Sequence, residues 1–566
     1  MGAFPSKNLN AAEFKGMKKD TLIARSDSLT LAYATGELVH FFKLTNSSKI
    51  RQGEAQVEVS NWVFRLVIDS TMPPAEWKIS RSTLVNKQNV VRLTGHDAAG
   101  VLHAVYTLLE KLGISFDITG SILPSNIDFQ GLAGWSSHIK PQVSLRGIRQ
   151  HINFPMDISA YPLSEAKEYI RNLARLRLNF IVFHSYTGEF FECPPLNIKA
   201  GNFFYGQRHD LPETPIFQNK VHNSHTFCIP EIEAVFDRAD ERSLAAITWL
   251  KEVMREAKIC GLTVQFSFES PGVSPEDGLA ACESILLQYP RIDILEIITP
   301  ENSGSPEKNL ARNLSTAKLL KAKLCQNCPK LALGVYETGS ALKDGLVYLR
   351  QNCPSDIQWT FLPAHGARAV VEALKKAGFE ASDWRRSVIY SWIEFDGLMY
   401  LQQNSVQGTQ QLLNMAKNSL ADMPVPAIAF NHWRTSENRT AITYMARATI
   451  NKNLTPEIFY KQYAQTLGIA NTAVYIKAMN DLDSLDAYCR EKLFNIGFCY
   501  AGCWTSPKGL SWTRVWRKED TEEAERQISN IEQNLVTALK GTNKIEGRKY
   551  LRFLNNNGSV NFNINN

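Results

Sequence analysis

The feature that most constrains the fold of this chain is a series of eight short apolar segments that alternate with amphipathic segments between Gln142 and His432. Apolar runs of strand length that alternate with helical periodicity are typical of parallel strands joined by helices. Eight such units match the size and order of a (β/α)8 TIM barrel, with a doubly wound open sheet as the alternative. The predicted strands are Val143–Gln150, Phe180–Tyr186, Leu262–Ser270, Ile294–Thr299, Leu331–Glu337, Ile357–Pro363, Ser387–Glu394 and Ala427–His432.

Amphipathic segments between these strands supply the predicted helices of the barrel. Neither a GxGxxG nor a GxxxxGK[ST] pattern follows a predicted strand, so the nucleotide-binding versions of the open sheet receive no support. The predicted helices include Ser164–Leu178, Ser243–Cys260, Pro275–Leu287, Leu310–Leu324, Leu342–Gln351, Ala367–Ala377 and Gln407–Ala416.

Two further regions flank the predicted barrel, which we place at residues 138–435. Residues 1–137 combine β-rich segments, Leu29–Tyr33 among them, with an amphipathic helix at Ala98–Gly113, and they predict a small α/β domain. Residues 436–566 predict a C-terminal helical region, whose Asn-rich last stretch is expected to be frayed. The expected fold class is therefore α/β.

Composition narrows the functional class. Apolar residues make up 44% and charged residues 21% of the 566 residues, as in ordinary soluble globular proteins. The 62 Lys and Arg exceed the 56 Asp and Glu by only six, an excess too small to indicate a nucleic-acid partner. The sequence contains no apolar run of about 18 residues that would predict a membrane span. The N-terminal segment lacks the apolar core of an intact secretory signal.

Carboxylates follow several predicted strands, at the end where barrel enzymes hold their active sites. Glu301 follows the fourth strand, whereas Glu394 and Asp396 lie at the end of the seventh. Because a pair of carboxyl groups that flanks a glycosidic bond can hydrolyse it, we predict Glu301 as the general acid and Glu394 as the base or nucleophile. Asp396 is the substitute for Glu394, and Glu337 and Glu269 are competing candidates.

The residues around these carboxylates are of the types that bind sugars. Aromatic faces stack on the C–H surfaces of pyranose rings, and amide and guanidinium groups bind hydroxyls. The structural alternatives are that Trp392 fills the barrel, that the arginines of the first strand form surface ion pairs and that Glu301 caps a helix. The predicted substrate-binding residues are Arg146, Arg149, His151, His184, Tyr186, Glu337, Trp392, Asn431, Trp433 and Arg434.

A long segment after the second strand, Thr187–Glu241, carries His209, His222, His225 and Cys228. The H-x2-H-x2-C spacing is compatible with zinc, but a fourth ligand at tight spacing is missing. We therefore favour contacts from this segment to the substrate, and we predict no metal and no cofactor. The absence of GxSxG and HExxH disfavours nucleophile-elbow hydrolases and zinc proteases.

Three segments resemble parts of known glycoside hydrolases. The segment GHDAAGVLHAVYTLLEKLGISF, in which Gly100 opens a helix, resembles the small domain that precedes the barrels of family 20 β-hexosaminidases and family 67 and 115 α-glucuronidases. SLRGIRQH resembles the RG-containing first strand of these enzymes. HWRTSENRTAITYMARATINKNLTPEIFY resembles the exit of strand eight and the following helices of α-glucuronidase-like relatives. The resemblance covers the whole domain order.

The resemblance to family 20 implies roles for two residues. Arg146 matches the first-strand arginine that contacts the sugar in those enzymes, and Glu301 matches the strand-four position of their acid. Family 20 enzymes carry an Asp immediately before that Glu, where this chain has Pro300. This departure argues against a standard hexosaminidase mechanism.

The resemblance to the α-glucuronidases implies an inverting pair, in which Glu301 is the acid and Glu394 and Asp396 fill the base role. It also implies that Arg149 and Arg434 bind the carboxylate of a uronic acid.

We predict an exo-acting glycoside hydrolase that removes a terminal uronic acid or acetamido sugar from a complex glycan or polysaccharide. Two alternatives remain open: a hexosaminidase-like enzyme with substrate-assisted catalysis, and a non-catalytic carbohydrate-binding protein on a barrel scaffold. The expected partner is a carbohydrate, and the sequence does not define an oligomeric state. A role in polysaccharide degradation predicts a periplasmic or secreted location, although no signal peptide is present in this chain.

Overall fold

The fold is described from a computed structural model. It covers residues 19–45, 49–83, 88–152, 157–200, 229–235, 237–301, 303, 305–323, 329–337, 339–361, 374–392, 425–432, 435, 438–492 and 517–562. The helices are Lys19–Leu44, Ala98–Lys111, Leu163–Arg175, Pro230–Glu233, Ala239–Ile259, Pro275–Gln288, Pro306–Lys323, Gly339–Asn352, Ala381–Arg385, Arg439–Ala448, Pro456–Leu467, Thr472–Lys492, Lys518–Leu539 and Ile545–Phe562. Short 3₁₀ turns lie at Phe129–Leu132, Ile158–Ala160 and Pro194–Leu196.

The N-terminal module is a twisted sheet covered by helices. The strands of this module are β1 (Ile50–Gln52), β2 (Gln56–Val59), β3 (Trp62–Ile68), β4 (Trp77–Thr83), β5 (Asn89–Gly95), β6 (Ser115–Asp117), β7 (Gly120–Ile122) and β8 (Ser137–Ile139). The sheet has the order β1-β2-β3-β5-β4-β8, in which only β3 and β5 run parallel. A separate hairpin, β6–β7, follows the helix Ala98–Lys111.

Local sequence fixes the ends of the predicted helix in this module. The Asp97 side chain accepts a hydrogen bond of 2.8 Å from the Gly100 backbone N–H and caps the helix Ala98–Lys111. The helix ends just before Gly113, whose φ of +93° lies in the region that favours glycine. This element confirms the helix predicted there.

The predicted strand at Leu29–Tyr33 is wrong, because these residues lie within the helix Lys19–Leu44. Ala34, Leu38 and Phe42 are fully buried along one side of this helix, at the four-residue spacing that places side chains on one face. The Phe42 ring packs 5.2 Å from the ring of Phe64 on β3. Packing of this stripe against the sheet therefore overrides the local β propensity of a five-residue window.

The eight predicted strands of the central region form a closed barrel. They are β9 (Val143–His151), β10 (Phe180–Ser185), β11 (Thr263–Glu269), β12 (Ile294–Ile298), β13 (Lys330–Val335), β14 (Gln358–Phe361), β15 (Ser387–Trp392) and β16 (Val425–Asn431). Their order in the barrel is β10-β11-β12-β13-β14-β15-β16-β9. Every neighbouring pair is parallel, and β9 pairs with both β10 and β16. The (β/α)8 barrel is thereby confirmed and the open sheet is excluded.

The barrel interior is layered. A lower layer is apolar and packs as one cluster that includes Phe180, Val182, Ile294, Ala332, Val388, Ala427 and Ala429. His184, Glu296 and Tyr390 lie two residues further along their strands than Val182, Ile294 and Val388. Together with Arg149 of β9 they are almost wholly buried and form a polar layer. This polar layer lies between the apolar layer and the carboxyl ends of the strands.

Helices after β16 join the barrel to the N-terminal module. Arg439 donates hydrogen bonds to Asp117 of β6, the shorter at 2.9 Å, and the Tyr463 hydroxyl donates to the same carboxylate. The guanidinium of Arg439 also lies over the ring of Tyr550, 4.8 Å from its centroid. Because Asp117 and Tyr550 are buried, this joint holds the hairpin and the C-terminal helices in one piece.

Two differences from the sequence predictions concern flanking regions. The helix Ile545–Phe562 continues, as far as Phe562, into the Asn-rich stretch from Leu551 that we expected to be frayed. β8 extends the N-terminal sheet to Ile139, two residues beyond the predicted boundary at residue 137. Of the predicted helices, Ala367–Ala377 lies partly and Gln407–Ala416 wholly outside the described residues.

Candidate functional site

Three carboxylates of the described chain lie at the carboxyl ends of neighbouring barrel strands. Glu269 is the last residue of β11, Glu301 follows β12 by three residues, and Glu337 follows β13 by two residues. Because β11 pairs with β12 and β12 pairs with β13, all in parallel, the three segments emerge side by side at the mouth of the barrel.

Glu269 and Glu301 are in direct contact. The backbone N–H of Glu301 donates a hydrogen bond of 3.1 Å to Oε1 of Glu269. Burial raises the pKa of Glu269 to about 7; the backbone hydrogen bond opposes this rise, and the neighbouring Glu301 carboxylate adds to it. Glu301 is exposed at the mouth, but partial desolvation of its carboxyl also raises its pKa. The pair can therefore hold a proton in the neutral pH range, as a general acid must.

Tyr186 completes this group from the neighbouring strand. Its hydroxyl donates to Oε2 of Glu301 at 3.3 Å, and burial, reinforced by the Glu301 carboxylate, raises the phenol pKa well above its ordinary value. The phenol is therefore neutral and acts as a donor. The ring of His184 contacts the ring of Tyr186 edge to face at 4.9 Å, and its Nδ1 lies 3.0 Å from the hydroxyl of Ser267.

Glu337 lies beside this group and is buried, with 4% of its surface exposed. The Ser303 hydroxyl donates a hydrogen bond to Oε1 of Glu337, which ties the segment after β12 to the end of β13. The backbone N–H of Tyr336 donates to the Thr299 hydroxyl at 2.8 Å and adds a second link between the same two segments. These bonds order the loop that carries Glu301.

Arg149 lies beneath the carboxylates, in the polar layer. Its Nη1 donates to Oε2 of Glu296 at 3.0 Å and its Nη2 donates to Ser267 at 3.1 Å. Its guanidinium lies 4.7 Å from the centroid of the Tyr390 ring. Both charged side chains are completely buried, so Arg149 is engaged by the protein and is not presented at the mouth, where the sequence prediction placed it.

Arg146 lies away from the mouth, in contrast to the sugar contact implied for it. Residues three apart on a strand face opposite sides of the sheet, so Arg146 points outward where Arg149 points inward. The Arg146 guanidinium lies 5.6 Å from the centroid of the Trp77 ring and 3.4 Å from Nδ1 of His103, both in the N-terminal module. Burial lowers the pKa of this arginine to about 9. A sugar contact by Arg146 does not fit this placement.

The remaining predicted residues fall into three groups. Asn431 is fully buried at the end of β16, in register with Arg149 of β9. Only the backbone of His151 and Trp392 is described, at the ends of β9 and β15. The predicted residues Glu394, Asp396, Trp433 and Arg434, together with His209, His222, His225 and Cys228 of the long loop, lie outside the described residues.

Glu269 is the residue of this cluster that the sequence prediction did not include in its catalytic set. A signal for it was available, since Gln265, Ser267 and Glu269 are polar at alternate positions of an otherwise apolar strand. Polar side chains on the inward face of a buried strand need hydrogen-bonding or charged partners. Buried titratable groups of this kind are common at functional sites.

Within the described residues, no group of three or more His, Cys, Asp or Glu side chains is arranged to hold a metal ion. No helix of the described segments is long and apolar enough to cross a membrane. The hydrogen bond between Glu301 and Glu269 and the raised pKa of each carboxyl group suit acid–base chemistry.

The fold and this cluster define a (β/α)8-barrel protein with neighbouring glutamates at the carboxyl ends of its strands. No protein-family profile matches the sequence, and no curated protein matches it. Among solved structures, a GH138 enzyme targeting pectin rhamnogalacturonan II is similar with a TM-score of 0.55 at 11% identity, over 94% of this chain and 83% of that one.

A GH115 4-O-methyl-α-glucuronidase with specificity for decorated arabinogalactans is similar with a TM-score of 0.58 at 12% identity, over 93% of this chain and 69% of that one. At these identities the likeness establishes the fold. This chain therefore shares the fold of these two solved structures.

Proposed function

We propose that this chain is an exo-acting glycoside hydrolase that removes a terminal uronic acid or acetamido sugar from a complex glycan or polysaccharide. The observation that carries the proposal is the hydrogen bond from the Glu301 backbone to the Glu269 carboxylate, because it places side by side two residues whose carboxyl groups have raised pKa values. Glycoside hydrolysis needs one carboxyl group that stays protonated near neutral pH and a second group that acts as a base or nucleophile.

In the proposed mechanism, Glu301 is the general acid. Its exposed carboxyl lies where a glycosidic oxygen can approach, and the hydroxyl of Tyr186 orients it. Proton transfer from Glu301 to the leaving oxygen would accompany cleavage of the bond to the anomeric carbon. We retain Glu394, with Asp396 as its substitute, as the proposed base or nucleophile. As a base it would take a proton from the water that attacks the anomeric carbon, and as a nucleophile its carboxylate would bond to that carbon until water displaces it. Glu269 is the competing acid, because its pKa of about 7 is also suited to the role.

The first test is a screen of the purified protein against aryl α- and β-glycosides, aryl uronides and aryl acetamido sugars, with Glu301→Gln in parallel. We expect turnover of one class and a loss of about 10³-fold in kcat/KM in the variant, as removal of a general acid produces. The matched control is Glu276→Gln, which neutralises an exposed carboxyl on the outer helix Pro275–Gln288. Sugar binding without turnover of any substrate would instead identify a carbohydrate-binding protein.

A comparison of leaving groups assigns the acid. A dinitrophenyl glycoside leaves without protonation, whereas an alkyl glycoside depends on it. If Glu301 is the acid, Glu301→Gln loses far less activity on the dinitrophenyl substrate than on the alkyl substrate. If that selective retention is found in Glu269→Gln and not in Glu301→Gln, Glu269 is the acid and the assignment above is wrong.

The hexosaminidase-like alternative requires the substrate acetamide to act as nucleophile. Pro300, which stands where those enzymes carry the orienting Asp, gives no support to it. Strong inhibition by a thiazoline mimic of the cyclised intermediate would favour this alternative, and indifference to the compound would count against it.

We also propose a periplasmic or secreted location, because a polysaccharide outside the cell is too large to enter the cytoplasm intact. Fractionation of cells that express the natural gene would test this, and recovery of the protein with cytoplasmic markers would contradict it.

A further inference from the structure

The polar layer of the barrel contains an ion pair that crosses the barrel interior. Arg149 of β9 reaches Glu296 of β12 at 3.0 Å, past the two intervening strands β10 and β11. The same guanidinium donates to Ser267 of β11 at 3.1 Å, and Gln265 donates to Glu296 at 2.9 Å. Both members of the ion pair are completely removed from solvent.

Stability alone does not account for this pair. The layers of such barrels are usually filled by branched apolar side chains, as in the layer directly below. A buried ion pair loses its hydration, so an apolar pair of similar volume is often at least as stable. The interior is nevertheless shaped for the carboxylate, since a Cβ on Gly334 of β13 would lie only 2.6 Å from Oε1 of Glu296.

The ion pair lies directly beneath the carboxyl groups at the mouth. Gln265, Ser267 and Glu269 occupy alternate positions of β11 on its inward face, so Ser267 lies one layer below Glu269. Glu301 follows β12, the strand that carries Glu296. The guanidinium therefore contacts both strands that lead to Glu269 and Glu301.

Four groups from different elements act electrostatically on or near Glu269. Glu301 donates its backbone N–H to Glu269, and its carboxylate repels the Glu269 carboxylate. The positive charge of Arg149 lowers the pKa of Glu269, in opposition to burial and to Glu301. Tyr186 faces both carboxyl groups from the end of β10, and Glu296 neutralises Arg149 from β12.

We infer that Arg149 and Glu296 are positioning residues whose opposed charges set the protonation of the Glu269–Glu301 pair from below. The inference rests on the proposed function in one respect, namely that this pair is the acid–base group. Neither residue needs to touch a substrate, because each acts through the strands and the electric field beneath the carboxyl groups.

The two single substitutions should give shifts of opposite sign, and the double substitution should cancel them. Glu296→Gln keeps the shape and the hydrogen bond from Arg149 but leaves its positive charge unbalanced, so the pair should lose its proton about one pH unit lower. Arg149→Met leaves the negative charge unbalanced, so the proton should be lost about one pH unit higher. The double variant Arg149→Met/Glu296→Gln should titrate close to the wild type. Ser267→Ala removes a hydrogen bond without changing charge and is the matched control, with no shift expected.

The measurement is the pH dependence of carbodiimide modification of Glu269 and Glu301, followed by peptide mass spectrometry on the folded full-length chain. Carbodiimides react with protonated carboxyl groups, so the readout does not require turnover. The pH profile of kcat/KM on the best aryl glycoside from the screen is measured beside it, and its limbs should move in the same directions.

The two readouts separate the two proposals. Shifts of opposite sign in the pH dependence of labelling, without turnover of any glycoside, would support the role of the ion pair and overturn the proposal that the chain is an enzyme. Turnover with no labelling shift in folded Glu296→Gln, or with shifts of the same sign in both single variants, would overturn the inference and leave the enzyme. If Arg149→Met does not fold, the downward shift in Glu296→Gln and its absence in the double variant still decide the matter.

Discussion

Replacement of Glu269 by Gln should change the pH dependence of stability in a defined direction. The pKa of this carboxyl lies at about 7 in the folded protein, against an ordinary value of 4.5. At ~1.4 kcal/mol for each pKa unit, ionisation of Glu269 costs the folded state about 3 kcal/mol more than the unfolded chain. A raised pKa means that the folded state binds more protons between these two values. Stability from this group is therefore complete below about pH 4.5 and is lost as the pH rises to about 7.

Glu269→Gln has no proton to lose and keeps an oxygen that can accept the hydrogen bond from the Glu301 backbone. It should match the wild type at about pH 4.5 and exceed its free energy of unfolding by about 3 kcal/mol at about pH 8. Urea unfolding at both pH values, followed by tryptophan fluorescence, measures this difference. Glu276→Gln, at an exposed position, is the control and should not gain stability over the wild type at about pH 8. A difference between Glu269→Gln and the wild type that is the same at both pH values would refute the reasoning.

Three further predictions concern packing and charge. Gly334→Ala should destabilise the protein by about 1–3 kcal/mol, because the new Cβ would lie 2.5 Å from the side chain of Ile298. Gly36→Ala should stabilise it by roughly 0.5–1 kcal/mol, because Gly36 lies within a helix and no atom lies within 4 Å of the added Cβ. Thermal unfolding that ranks the two variants in reverse would contradict this. Arg439→Met leaves Asp117 buried without its cation and should cost about 3–5 kcal/mol, with faster tryptic cleavage of the C-terminal helices; unchanged cleavage would count against the joint. Arg146→Met should change the free energy of unfolding by about 1 kcal/mol or less, because among the described residues no carboxylate pairs with this arginine. It should also keep full turnover, and a large loss of kcat/KM would return Arg146 to the sugar site.

The barrel could be predicted from the sequence because most of its strands are short apolar runs that alternate with amphipathic helices. All eight predicted strands overlap the observed ones. The N-terminal module was harder, because β4 (Trp77–Thr83) is largely polar and β8 (Ser137–Ile139) is only three residues long. A window wider than Leu29–Tyr33 would have shown the helical spacing of the buried residues that follow it.

The candidate site could be predicted in part. Glu301, Tyr186 and Glu337 do lie together, because the carboxyl ends of parallel strands meet at one end of a barrel. The position of Arg146 could have been anticipated, since two strand residues three apart cannot both face the interior. The ion pair of Arg149 and Glu296 depends on which side chains meet across the barrel, and this requires the three-dimensional structure.

Closure of the barrel between its first and last strands has a consequence for synthesis. The Gln150 side chain of β9 donates a hydrogen bond to the backbone of His432, 282 residues later in the chain. At about 5–20 residues per second, β9 leaves the ribosome roughly 14 to 56 seconds before its second partner strand exists. Throughout that interval one edge of the nascent sheet lacks its partner, and unpaired edges promote aggregation. β9 carries charged and amide side chains on both faces, namely Arg146, Arg149 and Gln150. Such side chains make an unpaired strand edge a poor template for pairing with strands of other chains. The residues that are buried in the folded barrel therefore also protect the growing chain against aggregation.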